Sequence, residues 1–132
     1  MGGEYGATTG RPRRCGWFDG VTSRHAVRIN GIDEMVITKL DVLSGLGEIR
    51  FATHYRIDGR KVVTMPSETD VLARAEPVYK SFKGWKEDLS KIRKFDDLPK
   101  AAKIYLNFVE RYLKVKVTMI SVGKDREKTI LR

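Results

Sequence analysis

Nine consecutive residues, Gly6-Ala7-Thr8-Thr9-Gly10-Arg11-Pro12-Arg13-Arg14, set two hydroxyls and three guanidinium groups among glycines. Guanidinium forks pair bidentately with carboxylate and phosphate oxygens, and glycine lets backbone N–H groups come close to an anion. Pro12 stiffens the segment and limits the entropy lost when it closes on a ligand. Anion capture is the chemistry this stretch offers. A solvated basic loop that touches nucleic acid is the other reading of the same residues.

Two further segments carry chemistry, and both follow apolar, strand-like runs. Thr38-Lys39-Leu40-Asp41 comes directly after the run ending at Ile37, and ligands collect beyond the carboxyl ends of strands in α/β sheets. A carboxylate held there accepts from N1–H and the 2-amino group of guanine, a donor pair that adenine lacks. The lysine stem can lie along a purine while its ammonium stays in water. The pattern resembles the guanine-reading Asn-Lys-x-Asp of GTPases, with Thr38 in place of Asn. Ser121-Val122-Gly123-Lys124 follows a second such run, and the backbone N–H groups of a turn there can meet the base oxygen. Each segment alone also reads as an ordinary surface turn; two such strand ends in this order are what a guanine pocket requires. His25, on an apparent helix face, and His54, in a strand, read as structural. Cys15 lies among arginines that would favour its thiolate, or is simply a small residue tolerated beside a loop.

The elements that must hold these segments are legible in outline. Residues 3–16 lack helix or strand periodicity and read as a loop. Asp19 reads as an N-cap, with Phe18, Val21, His25, Ala26 and Ile29 on one helical face and a stop at Asn30-Gly31. Met35–Thr38 reads as a buried strand, and residues 48–57 as an alternating strand that turns at Asp58-Gly59 into a second strand from Lys61 to Thr64. A short helix is expected over 68–74. A longer one begins near Pro99, with Ala101, Tyr105, Phe108, Val109 and Tyr112 facing inward. Strands follow at 115–120 and 129–131. The predicted class is α/β, a mixed sheet with flanking helices.

Composition sets limits around this. The chain has 132 residues, of which 41% are apolar, and a net charge of +9 from 26 basic and 17 acidic groups. That length suits one domain with a real core, and the charge favours anionic partners without choosing among nucleic acid, nucleotides and carboxylates. No apolar run reaches the roughly 20 residues that span a bilayer, the N-terminus lacks the pattern of a secretory signal, and one cysteine cannot form an internal disulfide. A cytoplasmic protein without a membrane partner is expected.

The segment Gly3–Asp19 resembles the arginine-rich signature of the adenylosuccinate synthetases. The resemblance runs through Ala26–Gly31, Thr38–Leu46, Pro77-Val78-Tyr79, Gly84-Trp85, Leu98-Pro99 and Ser121–Arg126, which covers essentially the whole chain. It implies the C-terminal part of a fold related to phosphate-loop NTPases, organised as one domain over 1–132. Within it, residues 1–16 would form a substrate-binding arginine loop and residues 17–132 a guanine-binding α/β part. The family is a purine-biosynthetic ligase that joins IMP and L-aspartate as GTP is hydrolysed, through 6-phosphoryl-IMP. By resemblance, Ala7, Thr8, Thr9, Gly10, Arg11, Pro12 and Arg13 would embrace L-aspartate and IMP, and that loop would be mobile without substrate. Arg13 would also face GTP, with Lys39, Leu40, Asp41, Ser121, Val122 and Gly123 around guanine. The family's Gly-rich phosphate loop, catalytic Asp and His, and Mg2+ ligands have no counterpart in this sequence. No catalytic or metal-binding residue is therefore assigned, and the isolated chain is expected to be inactive. The full enzyme would be a homodimer without a nucleic-acid partner. A small basic nucleic-acid-binding module is the alternative. Two family prolines are lysines here, Lys83 and Lys124.

Overall fold

The computed structural model describes residues 2–132. The chain first forms the loop region, then β1 (Phe18–Asp19), α1 (Gly20–Asn30) and β2 (Glu34–Ile37). Next come β3 (Glu48–Ile57), β4 (Arg60–Val62), α2 (Thr69–Ala73) and β5 (Glu76–Lys83). A long connection leads to α3 (Lys100–Leu113), β6 (Lys116–Ser121) and β7 (Thr129–Leu131).

The expected mixed sheet is two mixed sheets. In one, β3 pairs in parallel with β1 and antiparallel with β4 and β5. In the other, β6 lies between β2, parallel to it, and β7, antiparallel to it. α3 packs on both sheets and supplies Ala102, Tyr105, Leu106, Val109 and Leu113 to a core completed by Ile49, Phe51, Val117, Ile120 and Ile130. Its sequence spacing yields two adjacent apolar stripes, so Ala101, Phe108 and Tyr112 line the margin of that core. Phe51 stacks on Phe18 at 5.1 Å between ring centroids and meets the edges of Phe108 and Tyr112.

Several expectations need correction. β2 is an edge strand whose residues alternate between exposed and half-buried, with Val36 50% exposed; it is not a buried strand. The inward face of α1 is shorter than its periodicity predicts. Val21 is buried, but His25 is exposed and Ile29 is 66% exposed. Arg24 makes the later contact instead: its guanidinium lies 4.0 Å over the Tyr112 ring and donates to the Tyr112 carbonyl at 2.8 Å. β5 has no counterpart in the sequence reading. Pro77 argues against a strand, yet it is tolerated here because β5 is an edge that pairs only with β3. The caps of α1 are as expected. Asp19 Oδ1 accepts from the N–H groups of Val21 and Thr22, and Gly31, at φ 59°, ends α1.

Candidate functional site

The second sheet sets the geometry. β2 and β6 run parallel with Ile37 beside Ile120, so the segments after them emerge at the same edge. Lys39 takes a left-handed backbone conformation, φ 57° and ψ 40°, and turns the chain into a 3-10 turn over Leu40–Leu43. Leu40, 1% exposed, pins that turn to the core and leaves Asp41 at the rim. The Ser121 hydroxyl joins the two strand ends: Oγ accepts from the Lys39 N–H at 3.4 Å and donates to the Gly123 carbonyl at 3.1 Å. Val122 is fully buried, and its N–H bonds the Lys128 carbonyl at 2.9 Å, closing the loop beyond Gly123.

Between these strand ends lies a cavity of about 330 Å3, lined by Gly2, Lys39, Asp41, Val42, Ser44, Gly123 and Lys124. Asp41 Oδ1 is buried with no hydrogen-bond partner from the described residues. A buried polar atom left unpaired costs roughly 1–3 kcal/mol, and more when charged, so this oxygen is suited to a donor arriving with a ligand. A larger cavity, about 640 Å3, lies between the end of β5 and the start of α3. Its walls are mainly apolar, among them Leu46, Phe82, Trp85 and Ile104, and it contains none of the candidate residues. Chemistry, not size, selects the smaller one.

The arginine loop is a separate, outward feature. Ala7 to Gly16 are exposed. Backbone bonds hold the loop as a closed turn: Gly6 N–H to Arg11 O at 2.8 Å, Gly10 N–H to Gly6 O at 2.9 Å, and Arg13 N–H to Glu4 O at 2.9 Å. Tyr5 and Pro12 form a bridge across its base. Gly10 has φ 64°, which an L side chain adopts only at a cost. Asp19 fixes the exit of the loop, since its Oδ2 accepts from the Tyr55 hydroxyl at 2.5 Å while Oδ1 caps α1. Burial, with the Asp19 bond adding, pushes the Tyr55 hydroxyl up to about 12.

Of the sequence candidates, Lys39, Asp41 and Gly123 come together around one cavity. Leu40 and Val122 direct their side chains into the core, and Ser121 serves as the link between strand ends. Ala7, Thr8, Thr9, Gly10, Arg11, Pro12 and Arg13 do not line the cavity. The sequence reading missed Glu4. Its carboxylate is bound by the Lys39 ammonium and lies 3.8 Å from the Arg13 guanidinium. The hydrogen bond from Lys39, then the Lys39 charge, hold the Glu4 carboxyl below its ordinary range, and Arg13 adds to this. The signal was available: Glu4 is the one carboxylate ahead of Asp19 in a strongly basic stretch. Among the described residues, no group of three or more His, Cys, Asp and Glu is placed to hold a metal ion, and no helix is long and apolar enough to cross a membrane.

A family model described as adenylosuccinate synthetase matches residues 1–130. The adenylosuccinate synthetase of Myxococcus xanthus is 50% identical over 131 residues, covering 99% of this chain and 30% of the relative. That of Desulforamulus reducens is 51% identical over 130 residues, covering 98% of this chain and 30% of the relative. Among solved structures, a fully ligated adenylosuccinate synthetase from Plasmodium falciparum superposes with a TM-score of 0.95 at 44% identity, over 99% of this chain and 32% of that one. The chain thus spans about 30% of the length of the curated relatives it matches.

Proposed function

The chain belongs to the adenylosuccinate synthetase family, and from that premise we propose that it supplies the substrate-recognising part of the GTP-driven ligation of IMP with L-aspartate. The observation that carries the reading is Asp41, which lines the cavity between the two strand ends and whose buried Oδ1 has no hydrogen-bond partner among the described residues. Guanine offers N1–H and its 2-amino group to one carboxylate. Adenine offers neither, so Asp41 selects between the nucleotides. The Lys39 stem covers one face of the base, and the backbone at Gly123, which lines the cavity, meets the base oxygen; a side chain at Gly123 would strike Lys128. Leu40, Ser121 and Val122 act by fixing that frame.

In the arginine loop, Thr8 and Thr9 donate to L-aspartate, and Arg11 pairs with its carboxylate and reaches the IMP ribose. Gly10 and Pro12 shape the turn. Arg13 turns toward GTP, where a guanidinium offsets charge on the transferring phosphoryl group. We place this segment toward the C-terminus of a longer, cytoplasmic, homodimeric synthetase. The phosphate loop, the catalytic Asp and His and the Mg2+ ligands then lie upstream of it, and the chain alone does not turn over. Mg2+ offsets phosphate charge in such reactions, and no side chain of this chain is assigned to hold it.

Calorimetric titration with GDP, ADP and a short DNA duplex tests the reading. GDP binds more tightly than ADP, by about 10-fold or more, and Asp41→Ala removes the preference. Equal affinity for both nucleotides, or salt-sensitive DNA binding with no nucleotide preference, would reject it in favour of a basic nucleic-acid module.

A further inference from the structure

We propose that Glu4 is a positioning residue that couples the guanine cavity to the arginine loop through Lys39, so that nucleotide bound at the first orders the second. The proposal rests on the guanine reading above. Lys39 belongs to both sites. Its backbone N–H is bonded to Ser121 Oγ, its left-handed conformation sets the turn into Asp41, and it lines the cavity. Its ammonium bonds the Gly2 carbonyl at 2.9 Å, at the cavity wall, and the Glu4 carboxylate beyond it. A purine seated beside Asp41 restricts the Lys39 stem and therefore fixes where that ammonium holds Gly2 and Glu4.

Glu4 carries the restraint onward. Its carbonyl accepts from the Arg13 N–H at 2.9 Å, and its carboxylate lies 3.8 Å from the Arg13 guanidinium. Residues 4 and 13 are the two legs of the loop, with the Tyr5–Pro12 bridge directly above them. Fixing the legs reduces the conformational freedom that the loop loses when it closes on an anion. The chemistry also favours a carboxylate here. Arg11, Arg13 and Arg14 repel one another, and Glu4 is the acid within reach of the base of the loop. Its carboxyl is held in the ionised form by the bond from Lys39, then by the Lys39 and Arg13 charges. Both Glu4 and Lys39 are partly exposed, at 32% and 43% of the side chain, so the pair is screened and supports a coupling of roughly 2- to 5-fold.

A tie that merely supports the fold would be present with or without nucleotide, so the diagnostic readout is the nucleotide dependence of the loop. Amide hydrogen exchange of the 132-residue chain is measured with and without millimolar GDP, for the unaltered protein and for Glu4→Gln and Glu4→Asp. GDP should slow exchange at Gly6, Gly10 and Arg13 by about 2- to 5-fold. Glu4→Gln should keep the preference for GDP over ADP and an unchanged melting midpoint yet lose the slowing, and Glu4→Asp should restore part of it. If GDP binds but the loop amides do not respond, or respond equally in Glu4→Gln, the coupling is wrong and the guanine reading stands. If GDP does not bind the unaltered chain, both fall together.

Discussion

The cavity around Asp41 and the loop from Ala7 to Gly16 are linked through Lys39 and Glu4, yet they are held in opposite ways. The cavity sits on the ends of two parallel strands whose following residues, Leu40 and Val122, are anchored in the core. The loop is exposed throughout and is held by three backbone bonds, one bridge and an ion-paired base. Base discrimination needs a carboxylate fixed to within a few tenths of an ångström, which a packed frame provides. Closing around a small substrate needs a segment that can open, which a packed frame would prevent. On the proposed reading, the division of labour follows from burial.

The comparison can be broken most forcefully from the core. Leu106 is fully buried at the centre of α3, and Leu106→Ala should cost roughly 2–5 kcal/mol, read as a large drop in the urea midpoint. Because the frame of Asp41 depends on the same core, nucleotide preference should weaken together with stability. If the midpoint fell while GDP preference stayed intact, the cavity would not depend on the packed frame as argued.

Gly10→Ala sharpens the other side. A Cβ at Gly10 meets no atom within 4 Å, so the cost comes only from its positive φ of 64°. That is about 1–2 kcal/mol, confined to the turn. Loop amides should exchange several-fold faster, while the global melting midpoint and GDP affinity change little. A global loss of stability would mean that the loop is part of the cooperative unit.

The sequence conveyed these two regions unequally, for physical reasons. The strand ends before Lys39 and Gly123 are readable because an apolar run stops abruptly at polar, turn-forming residues. The pairing of β2 with β6 is not, since it joins segments some 80 positions apart, Glu34 with Lys116 among them, and no local pattern encodes it. That is why one mixed sheet was expected where two form. β5 was hidden by Pro77, whose penalty vanishes at an edge. The face of α1 was misassigned because Arg24, a polar residue by type, does the packing through its guanidinium plane. Within the two segments proposed for guanine, residue type marks the strand ends that bring Lys39, Asp41 and Gly123 to one cavity but not the direction of each side chain, and the side chains of Leu40 and Val122 point into the core. Glu4 escaped notice because its partner Lys39 lies 35 positions away.

The smallest expected effect separates the two regions by pH. A carboxyl whose folded-state pKa lies below its ordinary 4.5 contributes stability that is present above the ordinary value and is lost as pH falls through the depressed one. For Glu4 this means that the tie from Lys39 and Arg13 to the base of the loop is complete near neutral pH and fails only in acid. Exchange at Gly6, Gly10 and Arg13, corrected for intrinsic rates, should therefore accelerate modestly as pH drops below about 4.5. Ile120, fully buried in β6, should keep its protection over the first part of that descent. Glu4→Gln should show the faster loop exchange at every pH and no acid transition of its own. If the loop and β6 instead lost protection together, both regions would be titrating with the global fold, and the contrast between a packed reader and a tethered loop would not hold.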